Sequence, residues 1–433
     1  MRTATRTRER PERLEAPRPE PKTVLAKAPR ASASLSRWLT MVLAALCVVG
    51  LVMVGSASSV VSIVYYGSTW AIVFRECLWL VVGVAAFLVA SRLTTRRLRR
   101  VAVLGIIAST ALLVLVLVPG AATSSFGASR WIGFGLLRLQ PSELAKLALC
   151  LYVAHVITKK ERVETAWGRV LRPVAIVTTV CAGLVLLQPD MGTAVVLVAI
   201  AFAVATIAGA PWRALSCTLL LLALAAVGAA IALPYRRARL LSFLNPQANL
   251  NGTGYQLHAS KIGFGAGHFF GLGLGNSREK WGLLPNPHTD FIFSIIGEEL
   301  GMLGALLVLA LLVTLVMLGL QVAARAPDRF SQLAAVGIST WLATETIVNV
   351  GAVLGVLPIT GIPLPFISFG GTSLVIDMAA VGVLVGIARR SAERPALRVV
   401  AARRPGEGPH RRGAATRTRA HPPRVARGAG FQR

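Results

Sequence analysis

Acidic residues are scarce in this chain. Asp and Glu number 18 among 433 residues, against 46 Lys and Arg, and charged residues of both signs make up only 15% of the sequence. Hydrophobic residues reach 55%, which is too high a share for an ordinary soluble protein of this length. The composition therefore predicts a polytopic membrane protein.

Cysteine is scarce as well. The five cysteines lie inside or beside apolar runs, and no two have C-x-x-C spacing: Cys47, Cys77, Cys150, Cys181 and Cys217. This pattern argues against a disulfide framework and against a cysteine metal site. The glycine-rich run at 263–277 has no strand–helix–strand context, so it does not match a nucleotide-binding fingerprint.

Ten apolar stretches are long enough to cross a bilayer. They span residues 38–62, 70–90, 101–119, 142–158, 170–187, 191–209, 213–234, 291–321, 332–355 and 368–388. The sequence thus predicts an all-α polytopic membrane protein with about ten transmembrane helices. Its membrane domain covers residues 38–390, with a large external loop at 235–290 between the seventh and eighth helices.

The two ends of the chain are basic tails, 1–37 and 391–433. They are rich in Arg, Pro, Ala and Gly, so we expect them to be disordered. Their charge suits anionic lipid at the cytoplasmic face, whereas nucleic-acid binding is disfavoured because no aromatic residues are interleaved. Arg and Lys after the second and fourth stretches place those loops in the cytoplasm, and an even number of spans places both termini there too.

The external loop is itself basic, and its charge favours a binding surface for an anionic ligand over simple solvation. The run GFGAGHFFGLGLGNS at 263–277 is too glycine-rich for a helix in water and too apolar for a free linker. It is expected to lie on or re-enter the outer leaflet, buried against protein. The stretch LPITGIPLPFISFGGTS at 357–373, which carries Ser368, predicts a second segment of this kind.

Asp290 follows PNPHT and precedes a long apolar run, which places it at the boundary between water and membrane. An ionisable group held there is a candidate functional site. The alternative, of about equal weight, is that residues 287–290 only start a helix. Glu298 and Glu299 follow inside the same run, so at least one of them must face protein or water.

Other polar residues stand at the edges of the predicted helices. Glu143 and Lys146 are three residues apart, and they either form an ion pair at a helix start or line the same cavity as Asp290. Asp190 lies in QPDMGT, where a simple turn is the favoured interpretation. Three further polar residues are best explained by hydrogen bonds between helices: Glu345, Asn349 and Asp377.

Taken in order, these motifs resemble the SEDS family of bacterial cell-wall proteins, whose members include FtsW, RodA and SpoVE. The resemblance covers about residues 38–390. It rests on ASRWI at 128–132, QPSELAK at 140–146, QPDMGT at 188–193, GLGNSREKWGLLPNPHTDFIFSIIGEELG at 273–301, and LPITGIPLPFISFGGTS at 357–373. The GLGNS and IIGEELG pieces look more like FtsW than RodA.

The resemblance implies a peptidoglycan glycosyltransferase that polymerises lipid II at the outer face of the bacterial cytoplasmic membrane, for septal wall synthesis in division. It implies a class B penicillin-binding protein and other divisome proteins as partners. The alternatives are a RodA-like elongation polymerase, a lipid II flippase and a non-enzymatic divisome scaffold. A flippase is disfavoured because no internal repeat is visible and the acids cluster toward one face.

For the site, the resemblance implies Asp290 as general base, with Glu143 and Lys146 as partners in the fourth helix. We expect substrate contacts from Glu143, Lys146, Arg130, Trp131, His288, Thr289, Arg278, Lys280, Asp190 and Ser368. No cofactor is certain; Mg²⁺ or Mn²⁺ is an option for the diphosphate, although no metal-ligand cluster stands out. Three acids depart from the pattern expected of relatives: Glu76, Glu345 and Asp377.

Overall fold

A computed structural model describes most of the chain. The described residues are 23–26, 31–119, 123–125, 128–133, 138–161, 167–217, 253–393 and 396–399, with the single residues 220, 228 and 243. The chain divides into two compact units, Met1–Lys27 with Pro395–Arg433, and Ala28–Arg394. In the smaller unit, strand β1 (Thr23–Ala26) pairs antiparallel with strand β4 (Ala396–Val399).

The larger unit is helical. Its helices are α1 (Ala31–Tyr66), α2 (Ala71–Arg92), α3 (Thr95–Leu117), α4 (Pro141–Lys160), α5 (Trp167–Leu187), α6 (Met191–Ala208), α7 (Thr253–Ala266), α8 (Ile292–Ala324), α9 (Arg329–Val353) and α10 (Thr372–Glu393). A 3₁₀ turn covers Glu279–Trp281, and strands β2 (Thr123–Ser125) and β3 (Ala128–Trp131) form an antiparallel pair before α4.

Eight helices are long and apolar enough to cross a membrane: α1, α2, α3, α5, α6, α8, α9 and α10. Helix α4 has twenty residues and packs between α3, α6 and α9. These nine helices match nine of the ten predicted stretches, so the all-α membrane class is confirmed. The predicted stretch 213–234 lies largely outside the described residues. Helix α1 begins before the predicted boundary at residue 38.

Contacts between basic side chains and helix ends define one end of the bundle. Arg390 donates to the carbonyl oxygen of Leu93 at 2.7 Å, which joins the end of α10 to the end of α2. Arg329 bridges Glu161, at 3.3 Å, and the carbonyl oxygen of Ala208, at 2.9 Å. We call this the basic end, defined by Leu93, Glu161, Ala208, Arg329 and Arg390.

Helices α4, α6, α8 and α10 begin at the opposite end, and α9 finishes there. We call it the aspartate end because Asp290 lies in the turn before α8. Helix α6 finishes at the basic end, whereas α8 begins at the aspartate end.

Two irregular segments fill the aspartate end. Residues 267–291 follow α7 and pack against α8, where a Cβ on Gly267 or Gly271 would overlap backbone carbonyl oxygens of that helix. Residues 356–371 precede α10, and their backbone meets α1 at Gly50. The prediction of burial against protein is wrong for Phe269, Phe270 and Leu274, which are exposed. The prediction of irregular backbone is confirmed for both segments. It was wrong for residues 263–266, which close α7, a helix that the glycine content did not indicate.

Candidate active site

The acidic side chains fall into two groups by exposure. Eight of those described are buried: Glu76, Glu143, Asp190, Glu279, Glu298, Glu299, Glu345 and Asp377. Three are not fully buried, and two of these, Glu161 and Asp328, lie at the basic end. Asp290 is thus the acid in the described part of the aspartate end that is not fully buried.

Hydrogen bonds from α9 fix the backbone at Asp290. The side-chain amide of Asn349 donates to the carbonyl oxygen of Asp290 at 3.0 Å and to that of Ile362 at 2.7 Å. One buried amide therefore ties the loop before α8 to the loop before α10. Sequence reasoning assigned Asn349 to helix–helix contacts. The sequence feature that could have indicated this loop contact is a polar residue near the end of an apolar helix, followed by a proline-rich segment.

Ser368 adds a second tie between the same two loops. Its hydroxyl donates to the carbonyl oxygen of Thr289 at 2.7 Å and accepts from the amide of Leu364 at 2.8 Å. The amide of Phe369 donates to the carbonyl oxygen of His288 at 2.9 Å. Three consecutive backbone carbonyl groups, at residues 288–290, therefore accept hydrogen bonds. In the described contacts, Ser368 binds the backbone of the loop that contains Asp290.

His288 is largely enclosed beside this loop. Its ring lies 5.7 Å from the ring of Phe369, measured between centroids. Burial lowers the pKa of His288 from 6.5 to about 4, because the charged imidazolium loses its hydration. The side chain is therefore neutral at neutral pH. Thr289 closes a turn, with its hydroxyl donating to the carbonyl oxygen of Asn286 at 3.3 Å.

Arg130 lies near Asp290 at the same end of the bundle. It leaves strand β3, and its Nε donates to the carbonyl oxygen of Gln188 at 3.1 Å while a second guanidinium nitrogen binds that of Pro189. A Cβ on Gly361 would lie 3.5 Å from Asp290 Oδ2 and 4.0 Å from Arg130 Nη1. The carboxylate and the guanidinium therefore both lie beside Gly361, a residue without a side chain. The neighbouring Trp131 is part-buried in the same strand.

Asp190 is the N-cap of α6 and is buried. Its carboxylate accepts from the backbone amide of Thr193 at 3.2 Å and from the hydroxyl of Thr193 at 2.9 Å. Such a cap satisfies amides that the first helical turn leaves without partners. The turn interpretation of QPDMGT is therefore confirmed, and Asp190 supports the loop that holds Arg130.

Lys146 lies in a buried charged cluster between α4 and α9. Its ammonium lies 2.7 Å from Glu143 Oε2, contacts Glu345 Oε1, and stands 4.9 Å from the ring centre of Trp341. The predicted ion pair is confirmed, and Glu345 completes it as a third member that spacing along one helix could not reveal. We call this set the lysine cluster, defined by Glu143, Lys146 and Glu345. All three side chains are buried.

The segment 267–291 contains a second buried set. Lys280 Nζ lies 3.3 Å from Glu299 Oε1, and Glu299 also accepts from the hydroxyl of Ser56 at 2.6 Å. Glu298 accepts from the hydroxyl of Ser277 at 2.5 Å and from the backbone amide of Arg278 at 2.8 Å. Both glutamates thus face protein, whereas the prediction required this, or contact with water, of at least one of them. The side chain of Lys280 is buried in this set, whereas Arg278 is exposed.

Two further buried acids, Glu76 and Asp377, were noted in the sequence as unexpected for the family. Glu76 lines a small cavity with Cys47 and Phe366. Asp377 is buried in α10. Among the described residues, no group of three or more His, Cys, Asp or Glu has the arrangement of a metal site.

Comparisons with known proteins agree with this architecture. A family model described as cell cycle protein, for FtsW, RodA and SpoVE, matches residues 37–393. The probable peptidoglycan glycosyltransferase FtsW of Geobacter metallireducens is 37% identical over 357 residues, covering 82% of this chain and 95% of that protein. Stage V sporulation protein E of Bacillus subtilis is 36% identical over 353 residues, covering 82% and 96%.

Solved structures show the same likeness. One chain, from work described as "Structural coordination of polymerization and crosslinking by a peptidoglycan synthase complex", has a TM-score of 0.68 and 31% identity, covering 82% of this chain and 98% of that one. The rod shape determining protein RodA of Thermus thermophilus has a TM-score of 0.60 and 30% identity, covering 81% and 95%.

Proposed function

The chain belongs to the FtsW/RodA/SpoVE family of cell cycle proteins, and on that premise we propose that it is a peptidoglycan glycosyltransferase that polymerises lipid II. Relatives that match most of the chain carry the name peptidoglycan glycosyltransferase. One observation carries the assignment of the catalytic residue. Asp290 is the acid in the described part of the aspartate end that is not buried, and its backbone is held by Asn349.

The reaction joins the 4-hydroxyl of an acceptor sugar to the anomeric carbon of a lipid-diphosphate donor. Asp290 takes the hydroxyl proton as the new carbon–oxygen bond forms, and the bond from the anomeric carbon to the diphosphate breaks with inversion. The electron pair of that bond leaves with the diphosphate. A single carboxylate is sufficient because the diphosphate is a good leaving group and needs little acid assistance.

Positive charge near the leaving group stabilises its developing negative charge. Arg130 is the cation best supported for this role, since its guanidinium lies over Gly361 with the Asp290 carboxylate. Arg278 is a second candidate because it is exposed on the same loop. The described residues offer no resident metal site. A Mg²⁺ or Mn²⁺ ion would therefore arrive with the diphosphate, and chelation by EDTA during the assay tests that proposal.

The membrane orientation follows from charge. The protein is multi-pass, and we propose that the basic end faces the cytoplasm, where Lys and Arg are enriched in membrane proteins. The aspartate end then faces outward, where lipid II is polymerised. Both termini lie inside, and the basic tails bind anionic lipid there.

We propose a class B penicillin-binding protein as partner, together with other divisome proteins. A solved relative belongs to work on a peptidoglycan synthase complex that polymerises and crosslinks, which supports a transpeptidase partner. The FtsW-like GLGNS and IIGEELG sequences support a septal role in division rather than an elongation role.

Polymerisation of labelled lipid II by the purified chain with its partner tests the proposal. We expect glycan strands from the wild type and a loss of about a hundredfold or more for Asp290→Asn, as for removal of a general base. Glu161→Gln is the matched control, because it removes the same charge from an exposed acid at the basic end. Equal activity of Asp290→Asn and wild type would remove Asp290 from the mechanism. No product from any variant in an intact complex would favour a flippase or a scaffold.

A further inference from the structure

Phe269 and Phe270 are exposed aromatic residues in the irregular segment after α7. Their exposed fractions are 60% and 84%, although the backbone of the same loop packs against α8 at Gly267 and Gly271. Side chains of this size are normally buried on folding, so their exposure calls for a partner. The position of the loop along α8 identifies that partner.

The loop is joined to α8 beyond the first turns of the helix. The amides of Met302 and Leu303 donate to the carbonyl oxygens of His268 and Phe269, at 2.9 and 3.2 Å. These bonds form where α8 is interrupted at Gly301, whose φ of 70° breaks the helical pattern and frees the two amides. The two phenylalanines therefore lie level with residues 302–303 of the helix.

The exposed apolar side chains of α8 mark where the bilayer begins. They run from Met302 and Leu303 to Leu320, a length of about 27 Å at the α-helical rise. The hydrocarbon core of a bilayer is about 30 Å thick. Met302 therefore stands at the outer edge of the lipid-facing band, level with Phe269.

Contacts with helix α1 place the same loop deeper in the bilayer than the estimate from α8. Ser56 binds Glu299, and α1 continues outward from there for about ten residues, or about 15 Å, to its end at Tyr66. Its last residues include the exposed Ile63 and Val64, which are typical of a lipid-facing surface. Both helices thus place Phe269 and Phe270 at or inside the outer edge of the hydrocarbon.

Backbone polar groups at residues 272, 273 and 275 of the loop have hydrogen-bond partners within the protein. The amides of Leu272 and Gly273 donate to the carbonyl oxygens of Glu298 and Glu299, at 2.9 and 3.0 Å. The Lys280 ammonium donates to the carbonyl oxygen of Gly275 at 2.6 Å. Irregular backbone at membrane depth requires such internal partners because lipid offers none.

We propose that residues 267–281 form a re-entrant wedge that inserts Phe269 and Phe270 among the acyl chains of the outer leaflet. The wedge anchors the loop that leads to Asp290 at a fixed depth in the bilayer. Its surface continues the lipid-facing side of α8 at Met302 and Leu303, so bilayer lipid is the occupant rather than a second protein chain.

Collision accessibility of a spin label tests this surface on the full chain in lipid bilayers, without partner proteins. The label is placed by Phe270→Cys, in a background where Cys77 and Cys217, the cysteines that are not buried, are replaced by Ser. Leu307→Cys supplies the lipid-facing reference and Lys159→Cys the water-facing reference at the basic end. Phe269→Cys repeats the test if the first variant folds poorly.

We expect the label at 270 to collide with oxygen in preference to a water-soluble nickel chelate, with a ratio within about twofold of that at 307. A ratio like that at 159 would overturn the proposal, because the side chain would then face water. Low collision rates with both reagents would also overturn it, because another protein surface or a second copy would then cover the aromatic pair.

Discussion

Asp290 and the lysine cluster are both charged groups inside one helical bundle, and they differ in burial and in their contacts. Asp290 is only part-buried, and the hydrogen bonds from Asn349 and Ser368 hold its loop. In the lysine cluster, Glu143 and Glu345 share one buried ammonium. The first carboxylate is part-buried and lies near Arg130 at Gly361, whereas the charges of the second group are paired within the buried structure.

This difference suggests separate roles for Asp290 and for the lysine cluster, whereas the sequence alone predicted substrate contacts for both. A charge that is buried and paired is costly to expose and contributes through its partners. A part-buried charge on a fixed backbone can contact a substrate without rearrangement of the loop. The lysine cluster is therefore expected to govern stability, and Asp290 activity.

Replacing Lys146 is expected to give the largest loss of stability. Lys146→Met leaves two buried carboxylates without their counter-charge, and we expect the free energy of unfolding to fall by about 3–5 kcal/mol. Thermal unfolding of the purified protein in lipid measures the change. In the matched control, Glu143→Gln and Glu345→Gln are combined with Lys146→Met, and most of the stability should return. An inactive Lys146→Met protein with wild-type stability would instead assign Lys146 to the substrate.

Asn349→Leu tests whether the fixed backbone at Asp290 matters for activity. It removes the two hydrogen bonds that tie the loops together, and we expect about tenfold lower polymerisation, with a stability loss of about 1–3 kcal/mol. Thr346→Val, one turn earlier on α9, is the control because that hydroxyl bonds only within its own helix in the described contacts. If Asn349→Leu lost stability as severely as Lys146→Met, the distinction between the two regions would fail.

The pair of Lys280 and Glu299 repeats the lysine cluster on a smaller scale. Glu299→Gln weakens its contacts with Lys280 and Ser56, so we expect a loss of about 1–2 kcal/mol in the free energy of unfolding. Ser216→Ala, which removes an exposed local bond at the basic end, should change little. A loss of activity from Glu299→Gln without any loss of stability would move this pair into the active site.

The smallest effect should come from His288. Its pKa in the folded protein is about 4, below the ordinary 6.5, so the unfolded chain binds the proton first. The stability from the neutral ring is therefore complete well above pH 6.5 and falls as the pH drops toward 4. His288→Gln should flatten the dependence of the unfolding temperature on pH over this window. An unchanged profile would show that another group is responsible.

Much of the fold follows from local pattern. Long apolar runs predict nine of the described helices, because a bilayer requires about twenty such residues for each crossing. The proline- and glycine-rich stretches before Asp290 and before α10 likewise predict irregular backbone. Helix α7 and the pairing of β2 with β3 were not predicted, because contacts with the rest of the bundle outweigh their weak local preference.

Contacts between distant residues account for what the sequence did not reveal at the site. The spacing of Glu143 and Lys146 predicts their ion pair, but Glu345 reaches Lys146 from another helix. The sequence predicts that Lys280 contacts the diphosphate. In the structure, its side chain is buried and pairs with Glu299. The sequence predicts that Asp290 lies at a boundary between water and membrane, whereas its hydrogen bond with Asn349 depends on how α9 packs.

The central claim is that Asp290 serves chemistry and Lys146 serves the fold. Its most direct test measures lipid II polymerisation and thermal unfolding on the same preparations of wild type, Asp290→Asn and Lys146→Met. We predict that Asp290→Asn unfolds at the wild-type temperature but makes almost no glycan, while Lys146→Met unfolds far earlier and keeps activity in proportion to its folded fraction. Substantial glycan synthesis by a well-folded Asp290→Asn protein would contradict the account.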